Sequence, residues 1–83
     1  MIPSFVYRHY GADGGLLYVG MTAYPKKRQA QHKHSPWASQ VARVETTEHA
    51  TQDDAAFVEA WTIFKSRPKF NRSVSLWRIA KRL

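Results

Sequence analysis

Cysteine is missing altogether from this 83-residue chain, which excludes disulfides, thiolate metal sites and a cysteine nucleophile. No apolar run comes near the roughly 20 residues that a membrane-crossing helix needs. The opening Met1-Ile2-Pro3-Ser4 has neither the basic start nor the apolar stretch of a secretion signal. We therefore expect a soluble, cytoplasmic protein. Acid is scarce, with 6 Asp and Glu against 13 Lys and Arg and a formal charge of +7. What is present is 43% hydrophobic and 13% aromatic, enough for a packed core and too much for a disordered chain. At this length folding buries only about 60–65% of the unfolded surface, so we expect one domain, residues 1–83, with a thin core.

The charge is segregated. Residues 1–40 carry Arg8, Lys26, Lys27, Arg28 and Lys33 against Asp13. Residues 41–64 carry Arg43 against Glu45, Glu48, Asp53, Asp54 and Glu59. Residues 65–83 are basic without any acid. Such a chain meets polyanions, nucleic acid before membrane headgroups, because Lys and Arg displace counterions from phosphates. The basic, acidic, basic order suits a phosphate-binding cleft with carboxylates near it. An ordinary solvated surface is the blander reading of the same pattern.

Residues 4–10 are rich in aromatic and β-branched side chains, and Leu16-Leu17-Tyr18-Val19-Gly20 is a second apolar run. Asp13-Gly14 between them signals a hairpin with a two-residue type I′ turn. That turn sets Ala12 opposite Gly15, His9 opposite Tyr18 and Tyr7 opposite Gly20. Opposed residues share a face, so Tyr7, His9 and Tyr18 should crowd one side of the sheet. Pro25 marks a helix start, running to about His32, with Arg28 and His32 four apart on one face. Residues 39–46 alternate and predict a third strand. Thr51 caps a second helix running to about Lys65, with Phe57, Val58, Trp61 and Phe64 on its apolar side and Pro68 beyond its end. Residues 73–83 could form a basic helix with Leu76, Trp77, Ile79 and Leu83 inward.

Phe5-Val6-Tyr7 and, ten residues on, Tyr18-Val19-Gly20 resemble the paired motif of the GIY-YIG nuclease family. Arg28 lies eight after Gly20, where that family places its arginine, and His32 follows four later, as in restriction-type members. Glu59 stands on a later helix, in the place of the family's metal-binding glutamate. Pro68-Lys69-Phe70-Asn71 looks like the family's ending. Each motif is weak alone; five in order over residues 5–71 are strong. Three positions depart from the pattern: Phe5 replaces Gly, Val19 replaces Ile, and Met21 stands where some relatives carry lysine.

The resemblance implies an α/β (α+β) fold, a small three-stranded antiparallel sheet flanked by helices. It also implies a divalent-metal-dependent endonuclease acting on DNA, branched or single-stranded DNA included, with one Mg²⁺ or Mn²⁺ per site. Glu59 would hold the ion, since hard oxygen ligands suit it. Arg28 would offer its planar fork to the phosphoryl oxygens. Tyr7 would be the general base, provided a nearby cation lowers its pKa well below about 10. Tyr18 and His32 would orient the water or relay its proton, and Asn71 would brace Tyr7 or the phosphate. Lys26, Lys27, Lys33, Lys65, Arg67, Lys69 and Arg72 would hold the backbone. One site cuts one strand, so cleavage of both needs a homodimer or two successive nicks. Without an attached recognition domain, weak sequence preference is expected.

Each side chain also has an ordinary reading. Tyr7 and Tyr18 could pack a sheet face, Arg28 could be solvated, and Asn71 could serve a turn. His9, His34 and His49 show no metal spacing and read as surface or strand residues. Trp61 is expected in the core, as are Trp37 and Trp77, either of which could instead stack on a base if exposed. The alternative function is a basic nucleic-acid-binding module that recruits a partner and does not cut. Glu59 argues against it, because a carboxylate repels phosphate unless a cation lies between.

Overall fold

In the computed structural model, which describes residues 3–71, the hairpin forms by a route other than the expected turn. The Gly11 N–H donates to the Gly15 carbonyl at 2.9 Å, and the Gly14 N–H donates to the Gly11 carbonyl at 3.0 Å. Ala12, Asp13 and Gly14 are thus a three-residue loop. Gly14 alone in this loop takes positive φ, 83°. Asp13 keeps ordinary φ, and its carboxylate accepts from the Gly15 N–H at 2.9 Å. A type I turn followed by a left-handed glycine is the usual three-residue solution.

The longer loop moves the pairing by one residue, so Tyr10 lies opposite Leu16. A bulge between His9 and Tyr10 moves it back. Beyond the bulge His9 faces Tyr18 and Tyr7 faces Gly20, as the hairpin reading required. The two irregularities cancel before they reach the tyrosines.

Strands β1 (Ser4–Tyr10) and β2 (Leu16–Thr22) are followed by helix α1 (Pro25–His32) and a short 3-10 turn (Ala38–Gln40). Strand β3 (Arg43–His49) and helix α2 (Gln52–Ser66) complete the order. The sheet is antiparallel with order β2-β1-β3. The third strand therefore starts and ends later than the 39–46 expected. Its length is set by β1, whose seven residues it matches from Tyr10–Arg43 to Ser4–His49. It is an edge strand, exposed along Arg43 to Glu48, so no buried alternation marks it in the sequence. Arg43 and Glu45 form an ion pair along it, and such charges discourage edge-to-edge pairing.

The two sheet faces are covered differently. On one, Val6 and Val19 pack against Ala55 of α2, with Leu16, Met21, Val58 and Ile63 around them. On the other, Tyr7, Tyr18 and Trp37 form a second cluster with Val41 and Phe70. Thr51 caps α2 as expected, its hydroxyl accepting from the Asp54 N–H at 3.0 Å. Helix α2 ends at Arg67, which takes φ 46°, one residue before Pro68.

The buried stripe of α2 differs from the expected one. Ala55, Val58, Glu59, Thr62 and Ile63 are its buried and half-buried residues, at the i, i+3, i+4 spacing of one helical face. Phe57 (71% exposed), Trp61 (54%) and Phe64 (71%) point outward. Small Ala55, fully buried, lets the helix approach the sheet closely, and a ring there would hold it off. Trp37 is buried as expected, whereas Trp61 is not core. The expectations for Arg72, Trp77 and the 73–83 helix lie outside the described residues.

Candidate active site

Tyr7 lies fully buried in the middle of β1, opposite Gly20. A side-chain carbon added to Gly20 would overlap the phenol Oη and Cζ of Tyr7. Glycine here is what lets the Tyr7 ring cross β2 toward Tyr18, their centroids 6.0 Å apart. Tyr18 in turn stacks on Trp37 at 4.5 Å and 21°, and Trp37 stacks on Phe70 at 5.4 Å and 25°. Offset rings at these separations pack favourably and leave little rotational freedom.

Helix α1 lies over this face and delivers two groups to the same phenol. His32 Nε2 is 2.7 Å from the Tyr7 oxygen, and Arg28 also hydrogen-bonds it. A neutral phenol has one proton to give, and we assign it to His32 Nε2, with Arg28 and Tyr18 as the other groups beside the oxygen. His32 Nδ1 then carries the other proton and donates to Ser35 Oγ at 2.8 Å. The Arg28 and His32 spacing read from the sequence is thus realised on one target atom.

The protein's own groups move the pKa of Tyr7 up rather than down. Burial is the largest influence and raises it, the neighbouring Tyr18 phenol raises it further, and Arg28 lowers it. The balance lies well above the ordinary tyrosine range. Desolvation of a phenolate outweighs one adjacent guanidinium. Tyr7 is accordingly a neutral phenol here, with an imidazole in position to take its proton.

Asn71 is 2% exposed and its amide is committed elsewhere than to Tyr7. Its Oδ1 accepts from the Val19 N–H at 2.7 Å, and its Nδ2 donates to the Val19 carbonyl at 2.8 Å. The Lys69 and Phe70 amides donate to the Leu16 and Leu17 carbonyls at 3.3 and 2.8 Å. The stretch from Pro68 to Asn71 therefore lies along the outer edge of β2, with the Asn71 side chain standing in for a strand's peptide group. It holds β2 between Tyr18 and Gly20. Asn71→Asp would keep the bond from Val19 N–H but set a buried carboxylate against the Val19 carbonyl. We expect about 2–3 kcal/mol of destabilisation at pH 7, a fall of roughly 10–20 °C in Tm for a domain of this size. Burial against a carbonyl raises the pKa of the introduced carboxyl above its unfolded value near 3.9. Its deficit should therefore shrink as pH falls toward 4. Thermal unfolding at pH 7 and pH 4 measures both effects; a Tm within about 2 °C of wild type at pH 7 would contradict this account.

Glu59 comes from the other layer. It sits in the stripe of α2 that faces the sheet, half-buried, with Oε2 shielded from solvent. A carboxylate on a mostly apolar stripe is costly to bury. A carboxylate is a hard oxygen donor of the kind that Mg²⁺ or Mn²⁺ takes together with waters and substrate phosphate oxygens. Among the described residues there is no cluster of three or more His, Asp or Glu that could hold an ion by itself. Lys26, Lys27, Lys33, Lys65, Arg67 and Lys69 are all exposed, three on or just after α1 and three around the end of α2.

His9, expected at the surface or on a strand, lies on a strand and is buried. Its Nδ1 accepts from the Trp37 indole N–H at 3.0 Å, and its Nε2 bonds Gln29 Oε1 at 2.8 Å. Burial lowers its pKa, against a smaller opposing effect of Gln29. The signal was available: the hairpin register already put His9 on the face of Tyr7 and Tyr18.

The model of the GIY-YIG catalytic domain matches residues 3–72. The chain belongs to the GIY-YIG family. The UvrABC system protein C of Hydrogenovibrio crunogenus is 34% identical to this GIY-YIG chain over 80% of its residues. That of Pseudomonas aeruginosa strain LESB58 is 36% identical over the same share. In both cases the match spans 12% of the relative's length, so the chain corresponds to about an eighth of those proteins. No solved structure matches it. Among the described residues no helix is long and apolar enough to cross a membrane.

Proposed function

We propose that this GIY-YIG domain is a divalent-metal-dependent endonuclease that hydrolyses DNA phosphodiester bonds. The observation that carries the reading is one buried phenol bonded at once by an imidazole and a guanidinium on α1. A binding surface has no use for that arrangement, because its groups face inward to one another. Proton transfer beside a phosphate does.

Hydrolysis forms a bond from water oxygen to phosphorus and breaks the bond from phosphorus to the 3′ oxygen. The attacking water must lose a proton. Tyr7, neutral and already donating to His32, passes its proton to Nε2 as it accepts one from the water, so the phenolate never has to persist in a buried site. This revises the expected role of Tyr7 from base to relay, with His32 as the final acceptor and Ser35 fixing its tautomer. Arg28 offers the phosphoryl oxygens a fork of donors. Tyr18 packs beside Tyr7 and makes its ionisation costlier, and Asn71 fixes the strand that carries Tyr18. Glu59 would hold a divalent ion, which when bound would supply charge neutralisation for the phosphoryl group and the departing oxygen. The exposed lysines, with Arg67, hold the flanking backbone.

The test is conversion of supercoiled plasmid to the open circle with Mg²⁺ or Mn²⁺ and with EDTA. We expect nicking that EDTA abolishes. Binding without cutting, for plasmid, single-stranded and branched DNA with either metal, would overturn the reading in favour of a recruiting module.

A further inference from the structure

Helix α1 carries Arg28 and His32, yet none of its eight residues, all of them described, is fully buried. Apolar burial therefore does little to seat it on the sheet. Its rotation and depth depend on polar ties, and Gln29 makes one of them from the residue next to Arg28.

The protonation of that tie follows from its partners. An indole N–H can only donate, so His9 Nδ1 must be unprotonated and Nε2 must carry the hydrogen. Nε2–H then donates to Gln29, which must present Oε1. The consequence is visible: Gln29 Nε2 is buried with no hydrogen-bond partner among the described residues, a cost of about 1–3 kcal/mol. Turning the amide over would satisfy Nε2 only by setting donor against donor at His9. The order Trp37, His9, Gln29 thus has a single direction, running from the loop after α1, through β1, back into α1.

His9 also touches the site by its ring. Its centroid is 5.4 Å from Tyr7, 5.9 Å from Tyr18 and 5.0 Å from His32, edge-on at 86°. The titratable groups facing it are therefore Tyr7, Tyr18 and His32, with Arg28 beyond Tyr7 and the uncharged Val44 opposite on β3. None of them is an acid that would favour an imidazolium.

We propose that His9, as a neutral Nε2–H imidazole strung between Trp37 and Gln29, is a positioning residue that sets the seat of α1 and so aims Arg28 and His32 at Tyr7. The proposal rests on the nuclease reading for its effect on rate, and stands apart from it for its effect on His32.

Three variants separate positioning from packing. His9→Gln keeps one acceptor and one donor without the ring, His9→Phe keeps a ring without either, and Gln29→Leu removes the acceptor from a half-exposed site. Two quantities are measured for each: the single-turnover cleavage rate beside DNA affinity, and the tautomer of His32 from imidazole ¹⁵N shifts. We expect His9→Gln to cleave within about 3-fold of wild type, and His9→Phe and Gln29→Leu to be slower by about 10-fold or more. All should bind DNA within about twofold, because the lysines are untouched. His32 should hold its Nδ1–H tautomer in wild type and His9→Gln and lose it in the other two. A packing role predicts the reverse order, with Phe tolerated better than Gln, and would overturn the proposal. So would an unchanged His32 signature in both His9→Phe and Gln29→Leu. Should the wild type fail to cleave, the nuclease reading falls, and the His32 signature alone decides for or against positioning.

Discussion

Tyr7→Phe is expected to bind DNA as wild type does and to cleave it about 10²–10⁴ times more slowly, the range for loss of a positioned proton-transfer group. The ring is retained, so its contacts with His9, Tyr18 and His32 persist and the fold should survive. What goes is the oxygen that joins His32 to Arg28. Leaving those two without their shared partner costs about 1–2 kcal/mol, set against relief from burying a hydroxyl. The pH dependence of stability has a definite sign. The folded state raises the Tyr7 pKa, so it favours the neutral phenol, and that contribution is complete below the unfolded pKa of about 10. It is lost as pH rises beyond it. Wild type should therefore lose stability faster than Tyr7→Phe between about pH 10 and 12. Equal slopes in thermal unfolding across that window would show that the phenol is not buried as described.

Glu59→Gln is expected to cut at least ~100-fold more slowly at any Mg²⁺ or Mn²⁺ concentration, since an amide is a poor ligand for a hard dication. It should nevertheless fold as well as wild type or better. The side chain is nearly isosteric, and removing a formal charge from a half-buried helix face relieves desolvation. Loss of function with retained or improved Tm distinguishes a residue kept for chemistry from one kept for structure. Recovery of cleavage at high metal would instead mean that Glu59 only tunes an affinity set elsewhere.

The parts of this protein that were legible in its sequence are those fixed by local pairing. The register of Tyr7 with Gly20 followed from two aromatic runs and an Asp-Gly between them. It survived a misjudged turn because the bulge at His9 and Tyr10 restores the count. The face of Tyr7, His9 and Tyr18 came with it, as did the Thr51 cap and the shared face of Arg28 and His32 on α1. What was not legible depended on the other layer. Hydrophobicity put Phe57, Trp61 and Phe64 inside, but the sheet selects the stripe with the smallest residue, Ala55, at its closest approach. Glu59 thereby sits centrally on the packed face. β3 has no buried alternation because, among the described residues, its side chains from Arg43 to Glu48 stay exposed. Asn71, expected to brace Tyr7 or the phosphate, bonds the Val19 peptide groups, a pairing 52 residues apart that is invisible locally. The sign of the Tyr7 pKa also depended on tertiary burial, which composition around the residue does not reveal.

The central claim is that Tyr7, His32 and Arg28, with a metal at Glu59, hydrolyse the backbone rather than merely bind it. Single-turnover cleavage of an end-labelled duplex with Mg²⁺, run beside DNA affinity for wild type, Tyr7→Phe and Glu59→Gln, tests it most directly. We predict that wild type cuts, and that both variants stay folded, bind and cut at least ~100-fold more slowly. A wild type that binds without cutting, or variants that cut at its rate, would contradict it.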